Sequence, residues 1–408
     1  MGYPFYLSVY QEMMKRALIA LILLGSFSLP TWAQPKQLSP NAEIYVMTIA
    51  AGAELYSAFG HTAIWVNDPN TRTSTIYNYG TFDFDPPGFY LDFTRGKLNY
   101  RLDIESFKRF QRIYRYYQRT YTGQRLHLTQ AQIQRTYEFM EYNFLPAHRY
   151  YLYDFLYDNC ATRVQDMMSY ILQDSLDWGD SEAESELSFR DMLKPYLAER
   201  PWPDFGIALA LGSAVDRKAK YREMDFLPDY LAIELGKAKV KDTTGQWVPL
   251  VDRETPFYEG VSAVPPTPFW TSPMALWWSL AIISFLLSGW ELFRNRLFYG
   301  LNKGVFFVAG LMGFILFLAW FATEHSVTEW NYNLLWLWPT HIVTAWWISP
   351  RAKSWLKYYY LFAGILPLLL LAGWNFLPQA LHPTFIPMML ILSTRGLGLF
   401  YKMNRGLV

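Results

Sequence analysis

From Met274 onward the apolar residues come in long runs, whereas upstream they alternate or recur at short spacing. The runs are Met274 to Phe293, Val305 to Phe321, Leu334 to Ile348, Tyr358 to Leu377 and about Leu381 to Leu392. A hydrocarbon core of about 30 Å asks for roughly 20 apolar residues in a helix. The third and fifth runs are short, but neither contains Lys, Arg, Asp or Glu. The pattern predicts an all-α bundle of about five transmembrane helices over 274–401, with a short tail at 402–408.

Charges between the runs are sorted by side. Arg294, Arg296 and Lys303 follow the first run, Arg351, Lys353 and Lys357 the third, and Arg395, Lys402 and Arg405 the fifth. The alternate loops carry Glu324, Glu329 and His382 without Lys or Arg. The positive-inside rule then puts the C-terminus in the cytoplasm and the upstream domain outside. The N-terminus agrees. Lys15 and Arg16 precede an apolar stretch, Ala17 to Leu29, and Thr31-Trp32-Ala33 forms a plausible cleavage site. That pattern predicts a signal peptide over 1–33, with translation starting either at Met1 or at Met13 or Met14.

Between these regions, 35–262 reads as one exported α+β domain, ending at a Pro-rich hinge, 263–273. Glu43 to Ala50, His61 to Asn67 and Ser74 to Phe82 have the β-branched and aromatic content of strands. Ser106 to Arg119 has helical periodicity. Lys108, Arg112, Arg115 and Arg119 fall near one side of it, and Phe107, Phe110, Tyr114 and Tyr117 towards the other. Such a helix serves either as a core face under a solvated face or as a surface resting on anionic headgroups. Thr129 to Gln132, "TQAQ", fits a capping box that opens a helix through about Tyr142.

Composition narrows the function classes. Hydrophobic residues make up 52% and aromatics 19%, and the formal net charge is +1, so no bulk polyanion such as a nucleic acid is implied as a partner. No P-loop or dinucleotide fingerprint occurs, and no Cys, His and carboxylate set has metal-ligand spacing, so neither cofactor nor metal is expected.

The chain has one cysteine, Cys160 in "YDNCATRV". Export with a single Cys excludes an intramolecular disulfide. It leaves a reactive thiol, an intermolecular pair or an inert buried side chain. Asp158 or Asn159 serves as N-cap for a helix carrying Val164, Met167, Met168, Ile171 and Leu172. In the first turn of that helix, unpaired N–H groups and the dipole favour a thiolate, which predicts a depressed thiol pKa. A Cys nucleophile also needs a base. The exported region offers His61, His127 and His148, and His61 opens a predicted strand just after Gly60.

"FGHTAIWV", "YNYGTFDF" and "YDNCATRV", in that order, resemble the Lnb-type family of bacterial lipoprotein N-acyltransferases. The order is also similar to the permuted papain-like (NlpC/P60-type) fold of lecithin–retinol acyltransferase and its relatives. Pro201 to Leu231 and Glu324 to Pro339 look like segments of the Lnb family too, so the likeness runs along the whole chain. The resemblance implies Cys160 as nucleophile and His61 as general base, with Asn78 either the orienting residue of a triad or the cap of a turn. The lecithin–retinol group has His where this chain has Asn78, so the match to that group is incomplete. Tyr77, Tyr79, Asp158, Asn159 and Arg163 become candidates for shaping the site. Arg163 has two readings, phosphate binding or pairing with Asp166. Glu324, His325, Asn331 and Asn333 are candidates at the outer mouth of the membrane domain. The implied reaction moves an acyl chain from a membrane phospholipid, through a Cys thioester, to the α-amine of a diacylated lipoprotein at the inner membrane. The rival readings are a cysteine hydrolase acting on peptidoglycan peptides or phospholipids, and a non-catalytic membrane assembly module.

Overall fold

A computed structural model describes residues 13–16, 36–82, 88, 92, 94–97, 99–261 and 264–406. Of the predicted signal peptide only Met13 to Arg16 fall within them, as a stretch of helix.

Seven antiparallel strands build the main sheet. They are β1 (Glu43–Ile49), β2 (His61–Asp68), β3 (Thr73–Thr81), β4 (Asn99–Ser106), β5 (Tyr121–Leu126), β6 (Tyr150–Leu152) and β7 (Val251–Tyr258), in the order β7-β5-β1-β2-β3-β4-β6. The three strands predicted from residue content are β1, β2 and β3, each next to the other in the sheet. β1 is buried along nearly its whole length because both faces are covered. Ile44, Val46, Ile64, Val66 and Tyr77 face α2 (Gln130–Phe144) and α3 (Cys160–Leu172), whose Met140, Val164 and Met168 complete that core. Tyr45, Met47, Ala63 and Trp65 face the other way, towards α1 (Phe107–Tyr116). This is the period-2 alternation of a strand between two apolar layers.

The start signals act where they were expected. Ser106 caps α1, Thr129 forms the capping box of α2, and Asn159, rather than Asp158, caps α3. The apolar side of α1 is a core face, with Phe110 buried and Phe107 stacked on Trp65 at 3.9 Å. Two residues depart from the helical-wheel assignment. Tyr117 stays exposed and Arg119 is buried, because the helix ends at Tyr116 and the chain turns through Gln118 at φ 50°.

Helices α4 (Phe189–Leu197), α5 (Pro201–Ala210) and α6 (Pro228–Lys237) lead towards the C-terminal region of α7 (Pro273–Arg294), α8 (Tyr299–Phe321), α9 (His341–Trp346), α10 (Leu356–Ala372) and α11 (Phe385–Asn404). Among the described residues α7 and α8 are long and apolar enough to cross a membrane. The other three runs form helices that are shorter or carry charges, α9, α10 and α11. The third run folds as a 3-10 turn, Tyr332–Leu335, followed by the six-residue α9, which rises only about 9 Å. Pro339 interrupts it, and the buried Asn331 and Asn333 hold its start in a polar clasp. The fifth run differs as well. α11 continues past Leu392 to Asn404, so Arg395 and Lys402 lie within a helix and are buried, not in a loop.

Leu38–Val408 forms one compact unit, and amide side chains join its two regions. Asn331 Nδ2 donates to Leu209 O and Ala210 O at 2.8 and 3.0 Å, and Gln379 Nε2 to Leu211 O at 2.9 Å. These bonds satisfy carbonyls at the end of α5 that the helix itself leaves open. Gly212 sits so close to Glu329 O that a Cβ would lie 1.8 Å from it.

Candidate active site

Asn159 explains why Cys160 begins a helix. Its Oδ1 accepts from the N–H groups of Ala161 and Thr162 at 2.8 and 3.1 Å. Its Nδ2 donates to Phe155 O and Phe226 O at 2.8 and 2.9 Å. Every polar atom of the side chain is used, so Asn159 is a cap and anchor. Cys160 itself is half-buried and is the free cysteine of the chain.

Backbone N–H groups of Thr62, Cys160 and Ala161 pull the thiol pKa down, and so does the charge of Arg119, but burial outweighs them and the net shift is upward. The expected depressed thiol is therefore corrected. The helix start acts as foreseen, and desolvation from neighbours distant in sequence is the larger effect.

His61 opens β2 directly after Gly60, whose φ of +81° and 2.9 Å approach of a virtual Cβ to Ile49 O leave room for glycine alone. His61 Nε2 lies 3.1 Å from Asn78 Oδ1. Asn78 Nδ2 in turn donates to Glu105 Oε1 at 3.1 Å. A carboxylate only accepts, so Glu105 fixes which end of the amide faces the ring. The ring must then carry its proton on Nε2, which leaves Nδ1 as the basic nitrogen. Burial pushes the imidazole pKa down to about 4, with Arg119 adding to the fall and the Asn78 bond opposing it. At neutral pH both His61 and Cys160 are uncharged.

Cys160 and His61 line one cavity of about 610 Å³, together with Tyr56, Tyr79, Gly80 and Tyr153. Gly80 adopts φ +84°, at an irregularity in the β3–β4 pairing, and a Cβ there would lie 3.8 Å from Cys160 Cβ. Glu324, His325, Ser326 and Val327, which follow α8, line the same cavity. Ser326 Oγ donates to Asp154 Oδ2 at 3.0 Å, and Glu324 N to Arg95 O at 2.8 Å. Two regions of the chain that are remote in sequence therefore share one site.

The remaining candidates separate cleanly. Tyr79 borders the cavity, whereas Tyr77, in the same core, stays out of it and donates to Glu141. Arg163 forms a two-pronged pair with Asp158 at 2.6 and 2.7 Å and lies 3.7 Å above the Tyr151 ring. The predicted pairing with Asp166 is not seen, since Asp166 goes to Arg222 instead. Asn331 and Asn333 bind the end of α5, and among the mouth candidates only Glu324 and His325 reach the cavity. Among the described residues no His, Cys and carboxylate group is arranged to hold a metal.

Glu105, Arg119 and Ser326 escaped the sequence reading. Glu105 had one usable signal, since pairing β3 with β4 in the observed register sets it opposite Ile76, on the same side as Asn78. Arg119 looked like one more surface cation. It is in fact held by Ala50 O through Nε and Nη2 at 2.9 and 2.7 Å, close enough to lower the pKa of both His61 and Cys160.

A family model described as the Lnb N-terminal periplasmic domain matches residues 29–193, and one described as the Lnb transmembrane domain matches residues 266–405. The chain belongs to the Lnb family. It is accordingly a membrane protein with an exported, periplasmic N-terminal domain and a helical membrane domain. Neither the curated proteins nor the solved structures give a match.

Proposed function

We propose that this Lnb-family protein is a lipoprotein N-acyltransferase of the inner membrane, with a permuted papain-like catalytic domain on the periplasmic side and the C-terminus in the cytoplasm. One observation supports the choice of substrate above the others. The cavity of Cys160 and His61 is lined in part by residues 324–327 of the membrane domain. A thiol in that cavity is reached by substrates held in the bilayer, and both a phospholipid and a diacylated lipoprotein are held there.

In this reading Cys160 Sγ attacks the carbonyl carbon of a phospholipid ester while His61 Nδ1 takes the thiol proton. The new S–C bond forms, the ester O–C bond breaks, and the proton returns to the departing oxygen of the lysophospholipid. The α-amine of the lipoprotein's N-terminal diacylglyceryl-cysteine then attacks the thioester. Its N–C bond forms as S–C breaks, and the amine proton passes through His61 to the thiolate. Two half-reactions sharing a covalent intermediate give ping-pong kinetics. Backbone N–H groups of Thr62, Cys160 and Ala161, which act on the Cys160 sulfur, would stabilise the oxyanion in each half. Thr62 pairs with Thr48 of β1, and the β2–β3 pairing begins only at Ile64. Because the pair rests uncharged, proton transfer accompanies attack instead of preceding it.

Expression in cells depleted of their own lipoprotein N-acyltransferase tests the reading. Triacylated lipoproteins should reappear with the wild-type protein and not with Cys160→Ala. Correctly inserted wild-type protein that leaves lipoproteins diacylated refutes it.

A further inference from the structure

The 23-residue α8 ends at the Cys160 cavity and begins about 34 Å away, at the opposite end of the membrane domain. There α7 and α11 bury three charged side chains between them. Glu291 Oε2 pairs with Arg395 Nη1 at 2.7 Å, and Glu291 Oε1 accepts from Phe298 N at 2.6 Å. Arg395 spends its remaining reach on Ser284, through Nε to Oγ at 3.0 Å and Nη2 to O at 3.1 Å. The carboxylate is thus fully committed to one cation.

Lys402 is the second cation, 2% exposed. Its Nζ donates to Glu291 O at 3.1 Å and Asn295 Oδ1 at 2.8 Å, both neutral oxygens, and among the described residues no carboxylate pairs with it. One carboxylate against two cations leaves a surplus positive charge in a low-dielectric setting, which is costly without an anion. The carboxyl end of α7 offsets about half a charge through its dipole, and no more.

Beside Lys402 lies a groove of about 600 Å³. Ser288, Thr394 and Tyr401 give it hydroxyl groups, and Phe285 and Leu397 give it apolar flanks. Gly289 and Gly398 face open space, so the groove exists because these helices lack side chains there. We propose that this groove binds an anionic phospholipid of the leaflet remote from the Cys160 cavity, its phosphate against the Lys402 ammonium and its chains along the apolar flanks. Charge complementarity selects the headgroup, and the position at a membrane-domain end selects a lipid over a soluble anion. The site is independent of the reaction proposed above.

The test uses the full-length protein in detergent, offered equal amounts of phosphatidylglycerol and phosphatidylethanolamine, with retained lipid read by native mass spectrometry. Wild type and Lys402→Arg should retain phosphatidylglycerol selectively. Lys402→Gln keeps a donor for Glu291 O but loses the charge, and should retain about fivefold to tenfold less. Equal retention by wild type and Lys402→Gln overturns the proposal and leaves Lys402 as a helix cap. Displacement of the lipid by millimolar inorganic phosphate overturns the lipid assignment. Should Lys402→Gln not fold, Gly398→Leu decides. It fills the groove with the cation untouched, so loss of phosphatidylglycerol supports the site and unchanged retention refutes it.

Discussion

Asn78 divides its amide between two partners, giving its oxygen to His61 Nε2 and its nitrogen to Glu105 Oε1, each at 3.1 Å. The pair of bonds sets the histidine tautomer from a carboxylate that never touches the ring. Asn78→Ala should therefore lower kcat about tenfold to a hundredfold, equivalent to ~1.4–2.7 kcal/mol, with little change in KM. Glu105→Ala should lower it less, because the amide then turns freely and still finds the ring part of the time. Equal KM and kcat effects in steady-state kinetics would place Asn78 in substrate binding instead.

The resting charge state has its own signature. Burial holds the thiol above its ordinary range and the imidazole down at about 4. Alkylation of Cys160 by iodoacetamide should thus rise steadily with pH through neutrality and beyond, following a small thiolate fraction. A preformed thiolate–imidazolium pair would instead give a plateau from about pH 5 to 8. Arg119→Gln removes a charge that lowers both pKa values, so the alkylation profile should move to still higher pH.

Asp225 gives a stability prediction away from the chemistry. It is 1% exposed, its Oδ2 accepts from Gln165 Nε2 at 2.5 Å, and burial raises its pKa to about 8. The folded state holds this proton more tightly than the unfolded chain does. Its contribution is complete below the unfolded value of about 4 and is lost as pH rises towards 8. Asp225→Asn should accordingly raise Tm at pH 8.5 and leave it nearly unchanged at pH 4.5. A Tm gain of the same size at both values would contradict the assignment.

Gly80 tests the geometry around the thiol. Its φ of +84° disfavours any L side chain, by about 1–2 kcal/mol. The added methyl of Gly80→Ala would also meet Cys160 Cβ at 3.8 Å, in ordinary contact. Thermal unfolding should register the backbone cost, and alkylation of Cys160 should remain possible. Loss of alkylation would show that the pocket itself had closed.

How much of this was legible depended on distance along the chain. The strands carrying His61 and Asn78 announced themselves through β-branched and aromatic residues, and the Cys160 helix through its Asx cap, since each signal lies within a few residues of what it specifies. Glu105 and Arg119 act across strands, and nothing local marks them. The thiol pKa went the other way for the same reason, because the dipole is local and burial is not. In the membrane domain hydropathy located the apolar runs but not the breaks, which the Asn331 clasp and Pro339 impose. Nor did it reveal that Arg395 and Lys402 turn inward from α11.

The most direct measurement is mass spectrometry of the purified full-length protein after incubation with a phospholipid bearing a labelled acyl chain. Expected is one acyl adduct on Cys160, sensitive to hydroxylamine and absent from Cys160→Ala. A diacylglyceryl-cysteine peptide with a free α-amine should discharge it, and the N-acetylated peptide should not. Transfer of the label to the peptide by Cys160→Ala, or by wild-type protein that never carries the adduct, would contradict the thioester route.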